Sequence, residues 1–189
     1  MTIQSYLRES RNALETALAH PGVAEVDRAA FAICAALRQG KPMMVCGNGG
    51  SAADAMHITA ELVGRFLKER RAINCICLTS NPAVLTAWAN DYSYETVFSR
   101  QVEAYGKPGA VLLGISTSGN SPNVLRAFET ARAENIMTIA MTGEGGGKLA
   151  ALSDILVDVP SLKTPIVQQL HLCLYHYLCQ AIETEMSLT

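Results

Sequence analysis

The chain has 189 residues, 49% of them apolar and 17% charged, with a formal net charge of −2 at pH 7. That length suits one domain with a sizeable core, and the apolar content excludes a disordered chain. The near-balanced charge argues against broad nucleic-acid or anionic-membrane binding, leaving room for a local basic pocket. No apolar run reaches the about 20 residues of a membrane span.

The opening stretch, "MTIQSYLRESRNALETALAH", is charged and amphipathic and lacks a signal-peptide core, so a cytoplasmic protein is expected. Leu7, Leu14 and Leu18 recur at helical spacing over residues 3–20, and Val26, Ala30, Ile33, Cys34 and Leu37 do so over 23–39, ending at Gly40. Two helices therefore come first. The period then changes. "PMMVC" (42–46) is a short buried strand, followed by the loop and helix of "GNGGSAADAMHITAELVGRF".

"INCICLT" (73–79) is a second strand, and "NPAVLTAWAN" is a helix with Asn81 as cap and Pro82 at its first position. "YETVFSRQVEAY" reads as one further helix closed by Gly106. "AVLLGIS" (110–116) is the third strand. After it, Ser121 is placed to cap a helix that begins at Pro122. "IMTIAMTG" (136–143) and "DILVDVP" (154–160) are the last two strands, separated by the short helix "GGKLAALS". A long helix over about residues 165–186 ends the chain.

Strands alternate with helices, and the middle strands are nearly continuous apolar runs. This pattern predicts a doubly wound α/β fold with a five-stranded parallel sheet covered on both faces. No linker divides the chain. One domain spans 1–189, made of a helical hairpin (1–40) and an α/β core with the long C-terminal helix (41–189). That last helix, "VQQLHLCLYHYLCQAI", is apolar on most sides, which predicts a homo-oligomer with helices packed across subunits. Cys34, Cys46, Cys75, Cys77, Cys173 and Cys179 all lie in apolar stretches, as reduced core thiols do. The spacing Cys75–Ile76–Cys77 fits neither a redox pair nor a zinc ribbon.

Open α/β sheets bind ligands outside the carboxyl ends of their strands. Two loops at such ends have the composition of an anion site. "GNGGS" (47–51) offers backbone that a ligand can approach, a helix N-terminus behind it and the Ser51 hydroxyl. "STSGNS" (116–121) offers four hydroxyls and Gly119 before another helix N-terminus. Neither is a Walker A or GxGxxG motif. Either loop alone could simply turn the chain. Together they favour a small phosphorylated metabolite, because a phosphate dianion takes several neutral donors.

His57 and Glu61 stand four residues apart on one helix face, and Gln168, His171 and His176 project from the last helix within about two turns. Asn90 and Asp91 close another helix. Imidazole with carboxylate makes a metal site or an acid/base pair. On spacing alone, such a pair is more often a surface ion pair and a lone histidine in an apolar helix more often a hydrogen-bonded core residue.

The stretches "CGNGGSAADAMHITAELVGRF", "AWANDYSYETVFSRQVEA", "GISTSGNSPNVLRA" and "VQQLHLCLYHYL" resemble the bacterial phosphoheptose isomerases of the sugar isomerase (SIS) domain superfamily over nearly the whole chain. The resemblance implies a five-stranded parallel sheet and a homotetramer with active sites at subunit interfaces. It also implies conversion of sedoheptulose 7-phosphate to D-glycero-D-manno-heptose 7-phosphate, toward lipopolysaccharide or other surface glycans. Matched motif by motif, Ser116, Thr117, Ser118 and Ser121 would bind phosphate. Asn48, Gly49, Gly50, Asn90 and Asp91 would contact the sugar.

By the same resemblance a zinc ion would be held by His57, Glu61, Gln168 and His176. Glu61 would be the base and His176 its acid/base partner in an enediol isomerisation, which needs a carboxylate near the carbon and a donor near the carbonyl oxygen. A zinc-bound carboxylate is a weaker base, so Glu61 would have to release the metal or use its second oxygen. Many relatives carry a basic residue where this chain has Ile166. Cys46 matches some members and not others. The non-catalytic branch that binds the replication initiator DnaA shares "LTAWANDYS" and "QQLH" but lacks the Glu and second His kept here. A sugar-phosphate-sensing regulator would need only the phosphate loops.

Overall fold

The computed structural model describes residues 1–188; Thr189, the last position of the expected domain, lies outside the described residues. Five strands form one sheet: β1 (Met43–Gly47), β2 (Cys75–Cys77), β3 (Val111–Ser116), β4 (Met137–Thr142) and β5 (Ile155–Asp158), all parallel in the order β2-β1-β3-β4-β5. Among the described residues seven α-helices accompany them: α1 (Ile3–Ala17), α2 (Pro21–Arg38), α3 (Gly50–Val63), α4 (Pro82–Asp91), α5 (Ser99–Tyr105), α6 (Pro122–Ala133) and α7 (Thr164–Met186).

Side chains alternate across each strand, and the two halves of the core follow from that. Met43 and Val45 of β1, with Leu113 and Ile115 of β3, pack under α2, α3 and α7 against Ile33, Ile58 and Tyr175. Met44, Cys46 and Leu112 face the other way, onto Phe98, Val102, Val124 and Phe128. The five-stranded parallel sheet is the predicted one. β2 is shorter than the sequence predicts. It pairs with β1 only from Met43↔Cys75 to Val45↔Cys77, and the chain then turns through Ser80, whose N–H bonds to the Cys77 carbonyl.

The helix expected over "YETVFSRQVEAY" is broken. A 3-10 turn (Tyr94–Thr96) precedes α5. The Ser93 hydroxyl caps the turn at the Glu95 N–H, Thr96 accepts from the Trp88 indole, and Ser99 donates to the Thr96 carbonyl. These local bonds compete with the helical ladder. The six cysteines are free thiols, five of them buried, and burial pushes Cys75 and Cys179 up to about 12. Ile166 is a core residue packed with Ala17, Val159 and Leu170, which accounts for an apolar side chain there. By contrast, Leu7 and Leu14 of α1 and its C-cap Leu18 are exposed, while Ala17 makes the contact with the core.

Candidate active site

In a 2-1-3-4-5 sheet the winding reverses between β1 and β3, and the crevice beyond their carboxyl ends is where such sheets take ligands. Both candidate loops open there. They lie side by side because Gly47 is in register with Ile115. Gly49 turns into α3 at φ 55°, ψ −120°, a backbone region reserved in practice for glycine. At Gly50 an added Cβ would lie 2.2 Å from Gln168 Nε2, so this glycine makes room for the Gln168 amide at the start of α3.

Asn48 joins the two loops. Its Nδ2 donates to Asn123 Oδ1 (2.8 Å), and Asn123 Nδ2 returns a bond to Asn48 Oδ1 (2.9 Å). The Tyr94 hydroxyl donates to the same Oδ1 at 2.9 Å, which draws the segment after Asp91 toward the crevice. Asn90 and Asp91 are exposed at the end of α4, with Asn90 Nδ2 donating to Asp91 Oδ1 at 2.9 Å. Ser51 is buried, and its N–H closes the first loop onto the Asn48 carbonyl at 2.9 Å.

In the second loop Ser116 is buried with its Oγ 2.9 Å from Ser121 Oγ. Ser121 occupies the N-cap position of α6, yet its hydroxyl makes no cap bond because it is engaged with Ser116. The expected side-chain cap is therefore absent. Thr117 is half-buried and Ser118 exposed, and Ser118 Oγ accepts from the Asn120 N–H at 3.2 Å.

Two turns along α3 the titratable groups gather. His57 Nε2 lies 3.0 Å from Glu61 Oε1 and His57 Nδ1 lies 3.1 Å from the Tyr175 hydroxyl. The His57 and His176 rings meet edge-on with centroids 5.0 Å apart, and Phe66 lies against the other side of His176. One ligand atom each from His57, Glu61 and His176 lie within 4.8 Å of one another. Ligands about 2.1 Å from a tetrahedral ion stand about 3.4 Å apart, so small side-chain rotations close the set. Two imidazoles and a carboxylate, partly open to solvent, are a donor set that suits zinc with one position left free.

Gln168 is not in this cluster. Gly50 meets Gln168 and His57 meets Tyr175, seven residues further along both helices, so α3 and α7 run parallel. The rise of a helix puts Gln168 about 12 Å from His176 along α7. An ion held at His57, Glu61 and His176 therefore lies about two helix turns beyond the point where Gln168 leaves α7. His171 also stands apart. It is buried beneath the site with Nε2 3.1 Å from the Thr142 carbonyl, and burial lowers it to about 4, so it is a neutral core histidine.

Sequence reasoning missed several supporting groups. The Tyr175 hydroxyl is pushed up by burial and then by the neighbouring Asp54 carboxylate, and it stays an O–H donor. The buried Glu183 carboxylate accepts the N–H groups of Phe66 (3.0 Å), Leu67 (2.8 Å) and Lys68 (2.9 Å) and lies 3.2 Å from Arg70 Nε. Arg70 also donates to the Glu61 carbonyl at 2.7 Å. This knot fixes the loop carrying Phe66 against His176. The available signals were slight: Asn123 directly follows Ser121–Pro122, and Tyr175 directly precedes His176.

The sequence profile of the SIS domain family matches residues 5–143, and the chain belongs to that family. Within it the likeness is to phosphoheptose isomerases. The enzyme of that name from Rhodospirillum rubrum is 52% identical over 163 residues, covering 86% of this chain and 85% of the relative. The solved phosphoheptose isomerase GmhA from Neisseria gonorrhoeae superposes with a TM-score of 0.90 at 39% identity, over 96% of this chain and 97% of that one. A phosphoheptose isomerase structure from Francisella tularensis does so with a TM-score of 0.91 at 38% identity, over 97% and 100%.

Proposed function

We propose that this chain is a phosphoheptose isomerase that interconverts sedoheptulose 7-phosphate and D-glycero-D-manno-heptose 7-phosphate through an enediol. The observation that carries the reading is the meeting of His57, Glu61 and His176 in a chain about half identical to enzymes of that name over most of both lengths. Neutral donors in the Ser116–Ser121 loop and the helix N-termini behind both loops bind the phosphate. Asn48, Asn90, Asp91 and the backbone at Gly49–Gly50 orient the sugar hydroxyls.

Glu61 turns Oε1 toward His57, which leaves Oε2 to take the C1 proton of the ketose. His176 protonates the C2 oxygen, giving the enediol. Removal of the O1 proton and return of a proton to C2 then complete the aldose. His57, Glu61 and His176 would hold the zinc ion, which when bound supplies Lewis-acid polarisation of the substrate oxygens.

The working unit in this reading is a homotetramer with sites between subunits. In this reading Gln168, by resemblance the fourth ligand, takes the position the other three leave free, supplied by a neighbouring copy. The exposed Leu7 and Leu14 of α1, Leu18 at its C-cap, and Leu172 and Tyr177 of α7 supply apolar surface for that assembly. No helix among the described residues is long and apolar enough to cross a membrane. The reading places the enzyme in the cytoplasm, feeding heptose into precursors of lipopolysaccharide or another surface glycan. The test is to mix the protein with sedoheptulose 7-phosphate, with and without a chelator, and follow the sugar by NMR. An aldoheptose 7-phosphate is expected, with loss of turnover on chelation. No conversion after zinc is restored overturns the assignment.

A further inference from the structure

Asp54, His57 and Glu61 follow one another along one face of α3, and Tyr175 faces them from α7. Tyr175 is almost fully buried and its hydroxyl is 3.1 Å from His57 Nδ1. The half-buried Asp54 carboxylate stands beside that hydroxyl, and its own buried Oδ2 has no hydrogen-bond partner. The protons of this chain of groups can be arranged in two ways.

With hydrogen on His57 Nε2, that nitrogen donates to Glu61 at 3.0 Å, and Tyr175 donates to the bare Nδ1. With hydrogen on Nδ1, His57 donates to the Tyr175 oxygen, and the Tyr175 hydrogen is free to turn toward the Asp54 carboxylate beside it. The lone pair of Nε2 then faces Glu61 and His176. A lone pair and a carboxylate turned toward each other repel unless a cation lies between them, so this second arrangement is the ion-holding one.

We propose that Tyr175 and Asp54 are positioning residues that lock His57 with its hydrogen on Nδ1 and its Nε2 lone pair directed into the space shared with Glu61 and His176. Metal-ligating histidines take such an outer partner for their second nitrogen, and losing it costs about 10–100-fold in metal affinity. The inference rests on the zinc reading above, and its test separates the two.

Zinc is titrated against a chromophoric chelator with the wild-type chain, Tyr175→Phe and Asp54→Ala, and the His57 ring nitrogens are observed by ¹⁵N NMR in the zinc-loaded proteins. The isosteric Tyr175→Phe keeps the ring packing, so its expected weakening of zinc affinity by about 10–100-fold reports the hydroxyl alone. Asp54→Ala is expected to weaken binding in the same direction by less. The wild type should show hydrogen on Nδ1, and the variants a loss of that preference. If circular dichroism shows Tyr175→Phe misfolded, Asp54→Ala at its half-exposed position carries the same test. Equal zinc affinity in wild type and variants overturns the inference and leaves the zinc reading standing. Failure of the wild type to bind zinc overturns both.

Discussion

Two glutamates face the seam between α3 and α7, and their surroundings set them to opposite work. Glu183 is 1% exposed at its side chain and accepts three backbone N–H groups beside Arg70. Burial by itself would raise its pKa, but those donors and the guanidinium outweigh it and hold the carboxyl below the usual value. Glu61 is 22% exposed, with a single oxygen engaged by His57. A carboxylate whose lone pairs are all occupied is a structural rivet. One with an oxygen to spare can take a proton from a substrate. The same seam holds both because the loop at 66–70 folds back over one and not the other.

The largest effect expected is on turnover. Glu61→Gln keeps the shape of the cluster and removes the base, and a positioned general base contributes about 10²–10⁴-fold. kcat should fall by that order with the thermal midpoint little changed. Near-normal kcat would erase the distinction between the two glutamates.

Glu183→Ala is the converse. It leaves Arg70 buried without its partner and frees three N–H groups, and removing one partner of a buried pair costs about 3–5 kcal/mol. The urea midpoint measures this. A loss under about 1 kcal/mol would show the knot to be ornamental, since that is the range of an exposed pair.

A smaller effect extends the contrast to the histidines. His171 is held neutral by burial, at about 4 against an ordinary 6.5. Between those values the unfolded chain binds a proton that the folded chain refuses, so stability rises with pH through that window. Acidifying from 7 to 4 should therefore remove up to about 3 kcal/mol. The depressed Glu183 adds its own loss only as pH falls below the ordinary carboxylate range. Denaturation midpoints across pH 7 to 4, with and without His171→Gln, test this. The variant should flatten the slope above pH 5.

Much of this was legible in the chain itself. The apolar runs at 42–46 and 110–116 mark buried parallel strands, and the Gly- and Ser-rich stretches after them mark the crevice, because composition and period are local signals. Eight residues of helix part Gln168 from His176, yet the resemblance grouped both as ligands of one ion. What stayed hidden depends on how distant elements meet. Tyr175 touches His57 across 118 positions of sequence, and Tyr94 touches Asn48 across 46. The break before α5 escaped because hydroxyls of Ser93, Thr96 and Ser99 override an acceptable helical pattern. Ser121 sat where a cap belongs and spent its hydroxyl on a neighbour instead.

The reciprocal amide pair of Asn48 and Asn123 bears on the rate and affinity of substrate capture. Two loops tied to each other, with Tyr94 bonded to the same oxygen, hold one relative position before any sugar arrives. In the proposed reading the entropy of ordering them is lost in folding, so a sugar phosphate bound there would give up only its own freedom and that of a few hydroxyl rotors. Capture would then approach a simple docking event.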